Sequence, residues 1–288
     1  MVSQARRAWT HFEPIHAIVY FVPEARERYS EAGLRGGWMG YFASRSAPMG
    51  AVGPDVVTAV FHNFAPTMVR RALPDAWSFS SPERVLAARL DTVDAALRRL
   101  WGADVDSPIV AEAAELAREA ATYLREDGRA LYAGHAGLPV PGPAHLALWH
   151  ACTLLREHRF DGHVAALTVH GLDGLEAVIT AHANDEGVDA ATMRGFRGWT
   201  EDEWRGAEER LRARDLLNGS AELTAAGQTL RTAVEDTTDE LAAAPWTKMD
   251  ESRRERLLSL LRDLVPKLIG PGGLVYPNPI GVSPPTLA

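Results

Sequence analysis

The chain has little of several things from which a function is usually read. One of its 288 residues is cysteine, Cys152, so no internal disulfide and no cysteine-based zinc site can form. Within "LWHACTLL" that cysteine reads as a small core residue rather than a reactive thiol. Lys248 and Lys267 are its only lysines among 30 basic residues, an arginine bias that, with abundant alanine, points to a GC-rich genome. No run of about 18 apolar residues occurs, which argues against a membrane span. The N-terminus lacks the apolar stretch and small-residue cleavage site of a signal peptide, so a reduced cytoplasm is the expected compartment. There is no HExxH, no phosphate-binding glycine loop, no GxGxxG and no Ser-His-Asp order. Gly36-Gly37 is too slight to count. Positive charge is also short: the net charge is −8 and the pI about 5.7. That disfavours nucleic acid as a partner without excluding a local basic face.

What remains is ordinary for a soluble globular chain, with 46% hydrophobic and 24% charged residues and room for two domains. Trp9, Phe12, Ile15, His16, Val19 and Tyr20 recur at helical spacing, which predicts helix over 4–30, kinked or broken at Pro14 and Pro23. Residues 37–46, 55–62 and 68–73 read as short helices. Ser80-Ser81-Pro82-Glu83 is a strong helix start for a helix to Trp101. Ser107-Pro108 starts another that ends near Glu126. Residues 127–143 are rich in Gly and Pro and suit a domain boundary. Two helices are expected from Ala144 to Arg159 and from Asp161 to His170, and an amphipathic one over 250–269 that Pro266 kinks or ends. The tail from Pro271 should be extended.

The most informative stretch is Gly171 to Trp246. It reads as a short helix, a second helix over Thr200–Leu217, an Asn218-Gly219 turn, a short strand at Glu222-Leu223 and a long helix to Trp246. Its "LRARDLL-NG" and "LTAAG" segments resemble the winged helix of MarR-like proteins, which bind small aromatic molecules and DNA. Parts of it recur upstream. Asp91-Thr-Val-Asp94 precedes Trp101 as Asp236-Thr-Thr-Asp239 precedes Trp246, and Gly33-Leu-Arg-Gly36 matches Gly171-Leu-Asp-Gly174. His16 and His150 stand 17 and 21 residues before those glycine pairs. The expected fold is therefore mainly α: two tandem winged-helix (MarR-like) repeats, the first degenerate, with a small β-wing in the second. Residues 1–140 would hold the first repeat and a linker helix, 141–270 the second and a terminal helix, and 271–288 the extended tail. Two such copies can pack as an internal pseudo-dimer around a cavity, in a monomer or a homodimer.

A helix that reads DNA needs basic residues toward phosphate. Thr200–Leu217 instead opens on Glu201, Asp202 and Glu203, carries Glu208 and Glu209, and brings Arg212 and Arg214 late. The first copy's counterpart, around Pro54–Arg71, is apolar and reads as buried. A small-molecule ligand thus becomes the expected partner. His16 and His150 are the candidates for acid/base work or for holding a metal or haem, set against the commoner role of a hydrogen-bonded structural histidine. Glu13 would orient His16. Tyr20, Trp38, Tyr41, Phe61 and Trp149 would form walls or simply core. Arg45 would bind an anionic group or cap its helix, and His62, Asn63 and His163 would contact ligand or serve as caps. Arg156 and Asp161 complete the set. No cofactor is identifiable, and no metal site is expected.

The segments "EPIHAIVYFVPEARE", "GGWMGYFASRSAPMG", "FHNFAP" and "LREHRFDGHVAAL" together resemble an actinobacterial family known only as helix-turn-helix, across nearly the whole chain. The resemblance implies a fold and no reaction. Three readings follow: a ligand- or cofactor-binding module, an enzyme using the cavity histidines, or a MarR-like transcription regulator.

Overall fold

The computed structural model describes residues 3–184 and 188–278. In chain order its helices are α1 (Gln4–Ala17), α2 (Glu24–Glu31), α3 (Gly37–Ser46), α4 (Pro54–Phe61), α5 (Pro66–Ala72), α6 (Asp75–Phe79), α7 (Pro82–Trp101) and α8 (Pro108–Ala121). Then follow α9 (Ala130–Ala136), α10 (Ala144–Val169), α11 (Gly174–His182), α12 (Ala190–Arg197), α13 (Glu201–Ala213), α14 (Ala225–Leu241), α15 (Ala244–Lys248) and α16 (Glu251–Leu264). Strand pairing among the described residues is limited to two isolated bridges, Leu217 with Leu223 and Ile269 with Leu274. The molecule is mainly α.

Local chemistry sets most helix starts. Ser81 accepts from the Arg84 amide ahead of Pro82, and Ser107 accepts from the Val110 amide ahead of Pro108. Asp173 with Glu176, and Thr200 with Glu203, form reciprocal capping boxes, each cap stabilising its helix by about 1 kcal/mol. On α7 the buried positions Val85, Ala88, Arg89, Thr92, Val93, Ala96 and Leu97 fall at spacings of three and four, so one stripe faces inward. One of those inward residues is an arginine.

Several expectations need correction. Pro14 lies inside α1 without breaking it; the helix continues to Ala17 and passes into a 3-10 turn at Ile18–Tyr20. The helices expected on either side of Arg159 are one, α10, about 39 Å long at 1.5 Å per residue. Gly162 within it marks a close approach rather than a break, since a Cβ there would stand 2.7 Å from an Arg129 Nη1 and 3.3 Å from the Leu241 Cβ. α8 stops at Ala121, and the stretch taken for a linker contains α9. The long helix ends at Leu241, and Trp246 belongs to α15. The short strand is a single bridge because the Asn218 side chain takes the amides of Ser220 and Glu222 and curls the chain locally. Pro54–Arg71 is two helices, with Val57, Phe61 and Phe64 buried but Val56 48% exposed. Residues 279–288 of the expected tail lie outside the described residues.

Three apolar clusters make up the interior. α2–α5 and the first half of α7 enclose one, around Phe42, Phe61 and Phe64. α11, α13, α14 and the end of α10 enclose another, around Trp204 and Leu211. The largest draws on α1, α7, α8, α10 and α16 together. Within it α10 packs on α8 and α1, and α1 packs on α16. A seam joins the first two clusters directly. The Ala65 amide donates to the Arg197 carbonyl, Trp199 Nε1 donates to the Asn63 carbonyl, and a Cβ on Gly174 would stand 1.9 Å from the His62 carbonyl oxygen. No single helix among the described residues is long and apolar enough to cross a membrane.

Candidate functional site

The packing of α1, α3, α7 and α10 brings charged and aromatic side chains together at the middle of the molecule. Glu157 on α10 is fully buried and receives Arg45 from α3 through two parallel bonds, Nε to Oε1 at 2.9 Å and Nη2 to Oε2 at 2.8 Å. Arg156 donates to the same carboxylate at 2.8 Å and to Glu13 at 3.3 Å. Glu13 also accepts from Trp9 Nε1. Burial alone would raise the Glu157 carboxyl, but the guanidinia of Arg156 and Arg45 overcome it and hold the group well below the usual carboxylate range. Phe61 and Phe160 lie against the Arg45 guanidinium at 4.3 and 4.4 Å, and Phe160 also meets Arg156 at 4.7 Å.

Next to this set stands a hydrogen-bond chain whose direction can be read. Thr153 Oγ1 donates to the Trp149 carbonyl at 2.9 Å, so it accepts from His16 Nδ1 at 3.0 Å. His16 Nε2 is then the acceptor for the Tyr20 hydroxyl at 3.2 Å, and the Tyr20 oxygen accepts from Arg89 Nη2 at 3.3 Å. The imidazole is therefore neutral: burial, with the charges of Arg156, Arg89 and Arg45, holds His16 well below its ordinary value. Both its ring nitrogens are engaged, which leaves neither for a metal or haem iron in this arrangement. Thr153 and Tyr20, not Glu13, orient it.

Arg89 differs from its neighbours. It is 1% exposed, yet no carboxylate among the described residues lies within ion-pair distance of it. Its remaining contacts are Ser44 Oγ at 3.4 Å and the rings of Tyr20 and Trp149 at 5.3 and 5.2 Å. Its Nε has no partner. Arginine does not shed its proton in a protein; burial opposes the Arg89 charge, and what offsets it is the Tyr20 hydroxyl and the more distant Tyr29 and Glu157 rather than a paired carboxylate.

On the outer side of this cluster Tyr20, Tyr41, Arg156, Phe160 and Arg197 sit deep in the fold but each keep some accessible surface. Together they make a partly buried aromatic and cationic face. Tyr20 and Tyr41 meet edge to face at 5.1 Å, and Trp38 lies against Tyr41 at 5.8 Å and against Phe196 of α12 at 6.4 Å. Trp38 and Phe196 are 41% and 37% exposed and form the rim. Tyr41 also accepts from Arg45 Nη1. This face thus offers flat aromatic rings beside guanidinia.

Of the residues singled out from sequence, Glu13, His16, Tyr20, Trp38, Tyr41, Arg45, Phe61, Trp149 and Arg156 belong to this one assembly. The others do not. His150 faces α8, where burial with the charge of Arg118 pushes it down to about 4. His62 and Asn63 form the seam against α11. His163 bonds Thr238 at 2.9 Å, beside a cleft of about 280 Å³ lined by Ser3, Arg6, Arg231, Glu235 and Asp239 among others. Asp161 caps the Tyr132 amide, and burial pushes its carboxyl up to about 6. Cys152 is buried, which pushes its thiol up. Arg89 was missed, although a charge on an otherwise apolar helical stripe was a readable signal.

The helix α13 presents a different surface. Each of its arginines meets a carboxylate: Arg205 with Asp202, Arg210 with Asp173 and Glu176, Arg212 with Glu208; Arg214, just past its end, meets Glu176. Glu201, Asp202, Glu203 and Glu209 are exposed beside them. Among the described residues no group of three or more His, Cys, Asp or Glu side chains is arranged to hold a metal ion.

A family model described as the helix-turn-helix family matches residues 5–275. No curated protein and no solved structure matches the chain.

Proposed function

The chain belongs to the helix-turn-helix family, and from that premise we propose that it uses the fold to hold a small, partly aromatic organic ligand rather than to read DNA. The observation that carries the reading is this partly buried aromatic face, which we take for the lining of a crevice. Trp38, Tyr41 and Tyr20 supply stacking surfaces, with Phe196 of α12 against Trp38 and Phe160 of α10 against Arg45 and Arg156. Ligand sites favour such junctions, with mostly apolar walls and few polar groups. The charge of α13 agrees: its arginines are engaged by carboxylates of this chain, so few are available to neutralise phosphate.

The finer fold belongs to the same proposal. We read α10 to α16 as a MarR-like winged helix whose wing has shrunk to one bridge, and α1 to α8 as a degenerate copy. The packing supports it by reciprocity. The first helix of one half, α1, lies on the last helix of the other, α16, while α10 lies on α8. An isologous pair makes such exchanged contacts.

Native mass spectrometry of the gently purified chain tests the function. A co-purifying organic mass that Trp38→Ala with Tyr41→Ala abolishes is the expected result. Tight, sequence-specific shifts of genomic DNA fragments at physiological salt, with no bound mass, would overturn it in favour of a transcription regulator. A catalytic reading has one observation of its own, the Arg89–Tyr20–His16 chain, in which a phenolic proton faces a neutral imidazole. Tyr20→Phe would then abolish turnover of a bound compound without releasing it.

A further inference from the structure

The central cluster is not electrically balanced. Arg45 and Arg156 are matched by Glu157 and Glu13, two cations against two carboxylates. Arg89 is a third cation, buried beside them with no carboxylate. Glu157 acts on it only from beyond ion-pair distance. Its Nε is buried and lacks a partner. Buried polar atoms are normally satisfied, and an unpartnered nitrogen on a buried cation without an ion pair marks a position where a negatively charged acceptor belongs.

We propose that Arg89 is the anchor for an anionic oxygen group, a carboxylate or a phosphate, on an unsaturated ligand whose flat body lies between Tyr20, Tyr41 and Trp38. This rests on the crevice being the ligand site. Tyr20, partly buried, bonds Arg89 and meets Tyr41 edge to face. Its hydroxyl oxygen now accepts from Arg89 Nη2 at 3.3 Å, at the long edge of hydrogen-bond range. A ligand oxygen replaces that weak acceptor with a charged one and reaches the free Nε as well. The Tyr20 hydroxyl keeps His16 as its own acceptor. Arg45, which sequence reasoning nominated for the anion, is already committed to Glu157.

The arrangement has a signature that a structural arginine lacks. A residue kept for ligand at the expense of stability leaves the ligand-free protein more stable when it is replaced by an apolar residue of similar length. Arg89→Met keeps the bulk between Tyr20 and Trp149 and removes the charge.

The test uses the intact chain at pH 7 and titrates 1-naphthoate, 1-naphthyl phosphate and the neutral 1-naphthamide, read by tryptophan fluorescence and calorimetry. At least one of the two anions should bind about tenfold or more tighter than the amide, the factor expected of one charge-assisted contact; which anion wins distinguishes carboxylate from phosphate. Arg89→Met should bring that anion to the affinity of the amide, leave the amide unchanged, and raise the ligand-free melting temperature by about 2 °C or more. If anions and amide bind alike, and Arg89→Met changes neither, the crevice reading stands and the anion anchor is overturned. If none binds, both are overturned. Should Arg89→Met lower the melting temperature or fail to fold, Arg89 is structural in the free chain. The wild-type ratio of anion to amide then decides alone, and a ratio near one overturns the proposal.

Discussion

Two clusters of arginine in this molecule are built alike and end differently. One joins α1, α10 and α14. Arg159 and Arg6 share Asp239, Arg6 and Arg231 share Glu235, and Ser3 donates to Asp239 at 2.5 Å. One nitrogen of Arg159 and two of Arg231 lack partners, yet every guanidinium has a carboxylate. The other, between α3, α7 and α10, pairs Arg45 and Arg156 with Glu157 and Glu13 and leaves Arg89 over. The first cluster borders a cleft and also holds three guanidinia against two carboxylates, but each guanidinium there is paired, and the pairs tie the N-terminal helix to α14. The second lies beside the rings of Tyr20 and Tyr41 and holds Arg89, which has no ion pair among the described residues. Pairing, more than the charge count, separates the two.

The comparison can be broken at its centre. Glu157→Gln leaves Arg45 and Arg156 buried with one weak carboxylate between them and should cost about 3–5 kcal/mol in urea unfolding. Asp239→Asn, on the more solvated cluster, should cost less, about 1–3 kcal/mol after allowance for solvent screening. Equal losses would erase the distinction between them.

Acid sharpens the contrast further. Burial holds His135 at about 3 and His163 at about 4, one beside each cluster, with His150 at about 4 and His158 at about 3 elsewhere on the central helices. Their folded values lie below the unfolded value near 6.5, so the unfolded chain takes up protons that the folded chain refuses. Stability is full above about pH 6.5 and falls as pH drops toward 4, by on the order of 1.4 kcal/mol per pH unit for each such histidine. Urea midpoints at pH 7, 6 and 5 measure the slope, and His163→Asn should remove one histidine's share. An unchanged midpoint between pH 7 and 5 would refute the buried neutral histidines. The smallest effect is expected on α13, where the exposed pair of Arg205 with Asp202 makes Arg205→Ala worth less than about 0.5 kcal/mol.

Local signals carried much of this fold. Ser81-Pro82, Ser107-Pro108 and the Thr200–Glu203 box are chemistry within four residues, and the helices they start lie where expected. Long-range contact was harder to read. From sequence α10 reads as two helices divided between Arg159 and Asp161, and the neighbours of Gly162 beside that point, Arg129 and Leu241, are distant in the chain. His16 and His150 looked equivalent by spacing. Yet the side chain opposite His16 is Thr153, on α10 itself, while His150 points toward α8. Trp38 and Tyr41 announced an aromatic wall. The commitment of Arg45 to Glu157, 112 residues away, carried no local mark.

The account stands or falls on whether the crevice takes a ligand. Calorimetric titration of the intact chain with 1-naphthoate and 1-naphthyl phosphate addresses that most directly. One-to-one, saturable heat that disappears in Trp38→Ala with Tyr41→Ala is the predicted result. No heat from either compound, in a folded chain that grips a DNA fragment tightly at physiological salt, would contradict it.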